Sequence, residues 1–151
     1  MSKGMTDSLL GCNMSVSREV ALQVGLFDEG YIGSATWEEV DFSVRIRKHG
    51  FRIAYDPEAA VVHLAHRTGG ARASRDVSGT RYYYEGHRNN AYFFAKNVRH
   101  RYLVSFLKRE LGWILVKQTF VQRHPERTAS SLRGLWDGYR AGSRARARQD
   151  G

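Results

Sequence analysis

The chain has 151 residues and a formal net charge of +9, with 42% hydrophobic and 12% aromatic residues. This composition excludes a disordered polar chain, and the length is sufficient to bury the core of one domain. The single cysteine, Cys12, excludes an internal disulfide and favours a reducing compartment. The longest apolar run near the C-terminus, 113–116, is far shorter than the roughly 20 residues of a membrane span, and no apolar signal segment follows Met1. We therefore expect a cytoplasmic protein, either free or peripheral on the inner face of the cell membrane.

The charge is unevenly distributed along the chain. Residues 1–66 hold six Lys/Arg against nine Asp/Glu, a net charge of −3. Residues 67–98 have a net charge of +4, and residues 99–151, with twelve Lys/Arg against four Asp/Glu, have +8. Such a basic C-terminal part suits anionic lipid headgroups, a pyrophosphate-bearing substrate or nucleic acid.

The first elements in chain order are short. Residues 9–14 are predicted to be a strand or an extended segment. Ser15 or Ser17 then caps a helix that runs through Val24, and Gly25 ends it.

The central stretch, residues 34–50, predicts an amphipathic helix. Thr36 and Glu39 have the spacing of a capping box, Asp41 can pair with Arg45, and Gly50 is placed to end the helix. Three carboxylates stand at its start: Glu38, Glu39 and Asp41. Acidic residues in a first helical turn are also favoured simply by the helix dipole, so the pattern alone leaves a structural and a chemical interpretation open.

Two strands and a loop are predicted next. Phe51, Ile53 and Tyr55 alternate with polar or small residues before Pro57, which indicates a half-buried strand. Residues 59–65 form a second β-like run. Residues 67–79 contain three arginines and three glycines and predict either a lid over a phosphate-bearing ligand or a solvated linker.

Three helices are predicted in the remainder. The first, 81–97, is rich in Tyr and Phe. The second carries leucines at every fourth position, at 103, 107, 111 and 115, and its flanking basic residues suit either core packing or an anionic membrane surface. The third places residues 132, 135, 136 and 139 on one face, and the chain after 141 is expected to fray.

The order of several motifs resembles the C-terminal half of the catalytic domain of family 2 glycosyltransferases. These are inverting enzymes of the GT-A fold that transfer a sugar from a nucleotide-sugar to an acceptor. The matching segments are residues 11–15 (GCNMS), 24–29 (VGLFDE), 37–45 (WEEVDFSVR), 50–57 (GFRIAYDP) and 60–63 (AVVH). The resemblance is specific over 9–66 and looser to about 98, where Arg88-Asn89 is similar to the family's Arg-Asn pair.

The resemblance implies an α/β fold, the C-terminal part of a GT-A domain, with a helical C-terminal extension. Residues 1–80 would be the glycosyltransferase portion, 81–142 the helical basic and aromatic extension, and 143–151 a disordered tail. The function implied is sugar transfer to a cell-surface polysaccharide or lipid-linked glycan.

The resemblance also assigns roles to the carboxylates. In inverting transfer a general base takes the proton of the attacking acceptor hydroxyl. The family uses the Asp of a Glu-Asp pair, whereas this chain has Glu38-Glu39, so Glu39 stands in the position of the base and is one methylene longer. Glu38 would orient the acceptor, and Asp41 would support the site through Arg45.

Further site residues follow from the same resemblance. His63 matches a histidine that helps to hold the divalent cation, Mg²⁺ or Mn²⁺, which stabilises the leaving diphosphate, with His66 as the alternative. A hydrogen-bonded structural histidine is the competing interpretation. Substrate-binding positions are Gly11, Asn13, Trp37 and Arg67.

One part of the family pattern is not present in these residues. No Asp-x-Asp motif occurs, and no strand–glycine–helix unit precedes Gly11. We therefore expect a truncated or split enzyme whose nucleotide-binding half is on a partner chain. Two other classes remain open: a non-catalytic remnant that serves as an interaction module, and a basic nucleic-acid-binding protein, although no nucleic-acid-binding motif supports the latter.

Overall fold

The computed structural model describes residues 3–64, 79–98 and 100–150. The elements in chain order are β1 (Gly4–Thr6), α1 (Arg18–Gln23), α2 (Glu38–Lys48), β2 (Ile53–Tyr55), α3 (Thr80–Asn97), a 3-10 turn (His100–Tyr102), α4 (Leu103–Leu111), a π-helix (Gly112–Val121) and α5 (Pro125–Asp150). The structure is 62% helical, and its described residues form one two-stranded sheet. The α/β GT-A fold therefore stays a prediction.

The chain divides into two compact units. Within the described residues, unit 1 comprises 3–30 and 37–64, and unit 2 comprises 31–36, 79–98 and 100–150. The segment 31–36 is thus grouped with the C-terminal helices, a division that the sequence did not predict. None of the helices in the described ranges is long and apolar enough to cross a membrane.

Helix α1 follows the sequence prediction closely. Ser17 is the N-cap, and its hydroxyl accepts a hydrogen bond from the amide of Val20. At the other end Gly25 has φ +86°, and the Gly25 and Leu26 amides donate back to the carbonyls of Leu22 and Ala21. This is a Schellman motif, which satisfies carbonyls that the helix end leaves unpaired.

Helix α2 begins differently from the prediction and ends as predicted. Its N-cap is Trp37, in the left-handed region with φ +77°, and no side chain caps the helix. The predicted capping box of Thr36 and Glu39 is therefore wrong, because the backbone enters the helix one residue later than a Thr36 cap requires. Gly50, with φ +84°, ends the helix in a second Schellman motif.

Unit 1 has a small apolar core and a short sheet. Val24, Phe42, Ile46 and Ile53 are buried together, and Val20 packs against them. Strands β1 and β2 are antiparallel, with Thr6 opposite Ile53. The predicted strand at 51–55 is present only over its last three residues.

Two of the other predicted β segments in unit 1 are wrong. Residues 9–14 form a turn in which the Asn13 amide donates to the Leu10 carbonyl at 3.0 Å. Residues 60–64, the described end of the predicted second strand, have no regular structure and are exposed. In the part of unit 1 that the structure describes, the sheet consists of β1 and β2, and neither segment joins it.

Unit 2 is organised by close contact between α3 and α5. Three glycines four residues apart in α5, Gly134, Gly138 and Gly142, approach the α3 backbone so closely that an added Cβ would overlap the carbonyl oxygens of residues 84, 88 and 92. Each glycine therefore lies opposite the residue fifty positions earlier. Because both numbers rise together, α3 and α5 run parallel.

The chain between these helices buries a face other than the predicted leucine stripe. The buried positions of α4 and the π-helix are Phe106, Glu110, Ile114 and Gln118. Leu103 and Leu107 pack at the edge of this core, whereas Leu115 is exposed. The prediction of one continuous leucine face is wrong because the buried positions, before and after residue 112 alike, lie one position before the leucines. Glu110 and Gln118 are accepted on this buried face because His87 and Ser131 bond to them.

Helix α5 also differs from the prediction. Leu135 is buried, but Leu132 and Trp136 are exposed, so the predicted apolar face is wrong for these two residues. The contact surface is made by small residues instead. Residues 143–150, predicted to be disordered, continue the helix to Asp150.

Candidate functional site

The acidic pair at the start of α2 lies in unit 1, and both side chains are half-buried. Burial, and then the negative charge of Glu39, raise the pKa of Glu38 above its ordinary value. A carboxylate with a raised pKa accepts a proton more readily near neutral pH, which is the property of a general base. The perturbed member is thus Glu38, whereas the sequence assigned the base to Glu39.

Asp41 has a different environment from the pair. It is completely buried, and its Oδ2 accepts from the Nε of Arg45 at 2.9 Å, as the sequence predicted. The Nη1 of Arg45 also donates to the carbonyl of Val24, the C-cap of α1, at 2.7 Å. Asp41 therefore holds the arginine that joins α2 to the end of α1, which is a structural role.

Ser43 connects the predicted substrate turn to the acidic pair. Its hydroxyl donates to the carbonyl of Glu39 at 2.6 Å and accepts from the amide of Leu9 at 2.9 Å. Ser43 is completely buried. It thereby fixes the chain just before the turn at 11–13 against the first turns of α2.

Gly11 consequently lies beside the side chain of Glu39. A Cβ placed on Gly11 would be 4.0 Å from the carboxyl carbon of Glu39. Asn13, in the same turn, donates from Nδ2 to the carbonyl of Ala59 at 2.6 Å. Of the predicted substrate positions, Gly11 therefore lies beside the acidic pair, and Asn13 is bonded to the segment that follows β2.

Trp37 gives the start of α2 an unusual backbone. Its φ of +77° is uncommon for a residue with a bulky side chain, and the nearby Ala35 has φ +51°. Such conformations cost of order 1–3 kcal/mol and cluster at functional sites. The strain adjoins the acidic pair.

The structure does not group the predicted metal ligand with the carboxylates. His63 is exposed in the irregular segment 60–64. Over the described ranges, no three His, Cys, Asp or Glu side chains are placed to hold a metal ion together. The described residues alone therefore do not fit a Mg²⁺ or Mn²⁺ centre, and the cation stays a prediction. Arg67, His66 and the predicted loop up to residue 78 lie outside the described residues.

The Arg88-Asn89 pair lies in unit 2 and holds the segment 31–36. Asn89 is completely buried, its Oδ1 accepts from the Ile32 amide at 3.1 Å, and its Nδ2 donates to the Ile32 carbonyl at 2.8 Å. Arg88 lies over the ring of Tyr92, with 4.9 Å from its Cζ to the ring centroid. A side-chain amide that accepts from the N–H of a residue and donates to the carbonyl of the same residue fixes the position of that backbone.

Comparison of the chain with protein-family models, with curated proteins and with solved structures gives no match.

Sequence reasoning overlooked Ser43. A serine four residues after Glu39 is the spacing at which a hydroxyl bonds back to a helical carbonyl, so this signal was available. Its second bond, to Leu9, joins residues 34 positions apart and had no local signal.

Proposed function

We propose that this chain contributes the acceptor side of an inverting glycosyltransferase, with the acidic pair Glu38-Glu39 as its catalytic centre. The observation that supports this is the position of Gly11 beside Glu39, because a Cβ added to Gly11 would lie 4.0 Å from the Glu39 carboxyl carbon and two separate motifs of the resemblance therefore lie at one place. The donor would be a nucleotide-sugar, and the acceptor a polysaccharide or lipid-linked glycan. The proposed location is the cytoplasm, peripheral on the inner face of the membrane.

In the proposed reaction the acceptor hydroxyl oxygen forms a bond to the anomeric carbon while the bond to the nucleoside diphosphate breaks. The hydroxyl proton passes to a carboxylate of the pair. Glu39 is the proposed base, and its negative charge adds to the effect of burial in raising the pKa of Glu38. A divalent cation, supplied with the donor-binding part on another segment or a partner chain, would stabilise the departing diphosphate.

The test measures binding and transfer separately. Calorimetric titration with UDP-, GDP- and dTDP-sugars, with and without Mn²⁺, reports donor binding, and transfer of labelled sugar to a membrane glycolipid fraction reports chemistry. We expect Glu39→Gln to lower the transfer rate at least about 100-fold with unchanged donor binding.

Two variants serve as comparison. Glu38→Gln distinguishes the members of the pair, since a larger loss than that of Glu39→Gln would transfer the base role to Glu38. Glu19→Gln, at an exposed position in α1, should leave transfer unchanged. Transfer that survives Glu39→Gln and Glu38→Gln would refute the proposal and favour a non-catalytic interaction module.

A further inference from the structure

The outward side of the π-helix in unit 2 is apolar. Five of its ten residues are exposed large hydrophobic side chains: Trp113, Leu115, Val116, Phe120 and Val121. Phe120 is 75% exposed and Val121 69%. We call these five residues the apolar face. The segment contains one charged residue, Lys117.

The inward side of the same segment is partly polar and is fixed by hydrogen bonds. Gln118 is completely buried, and its Oε1 accepts from the Oγ of Ser131 at 2.9 Å. Its Nε2 lies 3.4 Å from the Nε2 of His87, whose Nδ1 is bonded to Glu110 at 3.0 Å. The helix therefore buries a glutamine and exposes a phenylalanine, the reverse of the pattern expected beside water.

The surroundings of the apolar face are basic. The Nζ of Lys117 lies 3.7 Å from the ring centroid of Trp113, and Lys108 and Arg123 are exposed before and after the segment. Of the nearby acids, Glu110 is buried and engaged by His87 and Arg109, and the exposed Glu126 lies 3.1 Å from His124. The exposed charge along the segment and its flanks is thus predominantly positive.

Apolar side chains, a tryptophan and a rim of Lys and Arg together fit the boundary between the headgroups and the acyl chains of an anionic membrane. Nucleic acid would match the cations but not the apolar centre. A second copy of the chain would bring like charges together. We propose that the apolar face inserts shallowly into a bilayer that contains anionic phospholipids, with Lys117 at the headgroup level.

This proposal rests on unit 2 and does not depend on sugar transfer. The experiment is flotation of the full chain with vesicles of phosphatidylcholine alone or with 30% phosphatidylglycerol, a composition chosen for the test. We expect binding to the anionic vesicles only. Phe120→Ser with Val121→Ser should weaken it about tenfold or more, since each lost methylene forfeits insertion energy. Lys117→Gln should weaken it about fivefold at low salt.

The matched control is Val61→Ser with Val62→Ser, which removes two exposed valines from unit 1 and should leave binding unchanged. The Glu39→Gln variant should also bind the anionic vesicles normally. Failure of the catalytic proposal can therefore be distinguished from failure of the membrane proposal. A Trp37→Phe, Trp136→Phe variant leaves Trp113 as the single tryptophan, and its emission, excited selectively over that of tyrosine, should shift to the blue on anionic vesicles. This measurement keeps the test decisive if the serine variant does not fold.

Three results would overturn the proposal. The first is equal binding by the wild-type chain and a folded serine variant. The second is no spectral shift of Trp113. The third is that the wild-type chain forms a dimer, the serine variant does not, and neither protein binds vesicles. This result would assign the apolar face to contact with a second copy.

Discussion

Units 1 and 2 achieve their long-range contacts with different chemistry. In unit 1 the decisive contacts are made by polar side chains: Arg45, held by Asp41, with the carbonyl of Val24, and Ser43 with the amide of Leu9. In unit 2 the closest contacts are made by backbone against backbone, where Gly134, Gly138 and Gly142 meet α3. In the part of unit 1 that the structure describes, the apolar core has four buried members, which lie in short elements or at the end of one.

The difference explains where strain and perturbed charges lie. Short elements cannot bury enough apolar surface to fix a turn, so polar clamps determine the position of the acidic pair. Long helices in close contact leave little freedom, so unit 2 can bury polar groups such as Glu110 and Gln118 within a satisfied network. Substitutions in the two units should therefore act by different mechanisms.

The largest expected effect is removal of the buried carboxylate of unit 1. Asp41→Ala leaves Arg45 without its partner, and we expect a loss of about 3–5 kcal/mol in the free energy of unfolding. Amide hydrogen exchange over α2 measures it. Asp7→Ala breaks an exposed ion pair with Arg47 and should cost under about 1 kcal/mol. Similar costs for the two variants would contradict the clamp role of Asp41.

A single methyl group should disturb unit 2 almost as much. Gly138→Ala places a Cβ against the carbonyl of Arg88, and we expect a loss of about 2–3 kcal/mol in urea unfolding followed by circular dichroism. The control is Gly86→Ala in α3, where an added Cβ meets no atom within 4 Å. Because alanine is the better helix former, that variant should gain up to about 1 kcal/mol. Equal effects would refute close backbone packing.

Ser43→Ala should have a smaller effect, centred on the candidate site. It leaves the Leu9 amide without its acceptor and should cost about 1–2 kcal/mol, with faster exchange at residues 9–13. Ser105→Ala, at an exposed position in α4, should be neutral or slightly stabilising. Unchanged exchange at 9–13 would show that the turn does not depend on Ser43.

The smallest expected effect is a pH dependence in unit 2. Burial alone would raise the pKa of Glu110, but its hydrogen bonds and ionic interactions with His87 and Arg109 outweigh burial and leave that pKa below 4.5. The carboxylate therefore stabilises the fold fully above pH 4.5, and this contribution is lost as the pH falls through the lower folded pKa. Urea unfolding midpoints should fall over this range for the wild type and fall less for Glu110→Gln. Parallel curves would refute the assignment.

The sequence predicted best where local rules decide the outcome. The glycine stops at Gly25 and Gly50 and the Asp41–Arg45 pair depend on residues within about four positions and are confirmed. The cap of α1 was predicted at Ser15 or Ser17, and the structure has it at Ser17. Helix α3, with its long aromatic pattern, was also predicted nearly to its ends.

The failures arise where distant contacts decide. Trp37 is the N-cap of α2 in a left-handed conformation that no propensity favours. The buried face of α4 and the π-helix includes Glu110 and Gln118, in place of the predicted leucines, because residues on α3 and α5 form hydrogen bonds with them. The glycine spacing in α5 was visible in the sequence, but its partner helix was not. For the candidate site, sequence reasoning found the acidic pair and Gly11 and missed Ser43.

The parallel course of α3 and α5 has an electrostatic consequence. Parallel helices align their macrodipoles, so the negative ends of both, each equivalent to roughly half an elementary charge, lie at the same end of unit 2. Arg146 donates to the carbonyl of Val98, the C-cap of α3, at 2.9 Å, from one of the last turns of α5. Arg146, together with Arg148 in the last turn of α5, thus serves as a counter-charge for two aligned dipoles. Part of the basic character that resembles a nucleic-acid-binding tail is therefore used within the fold.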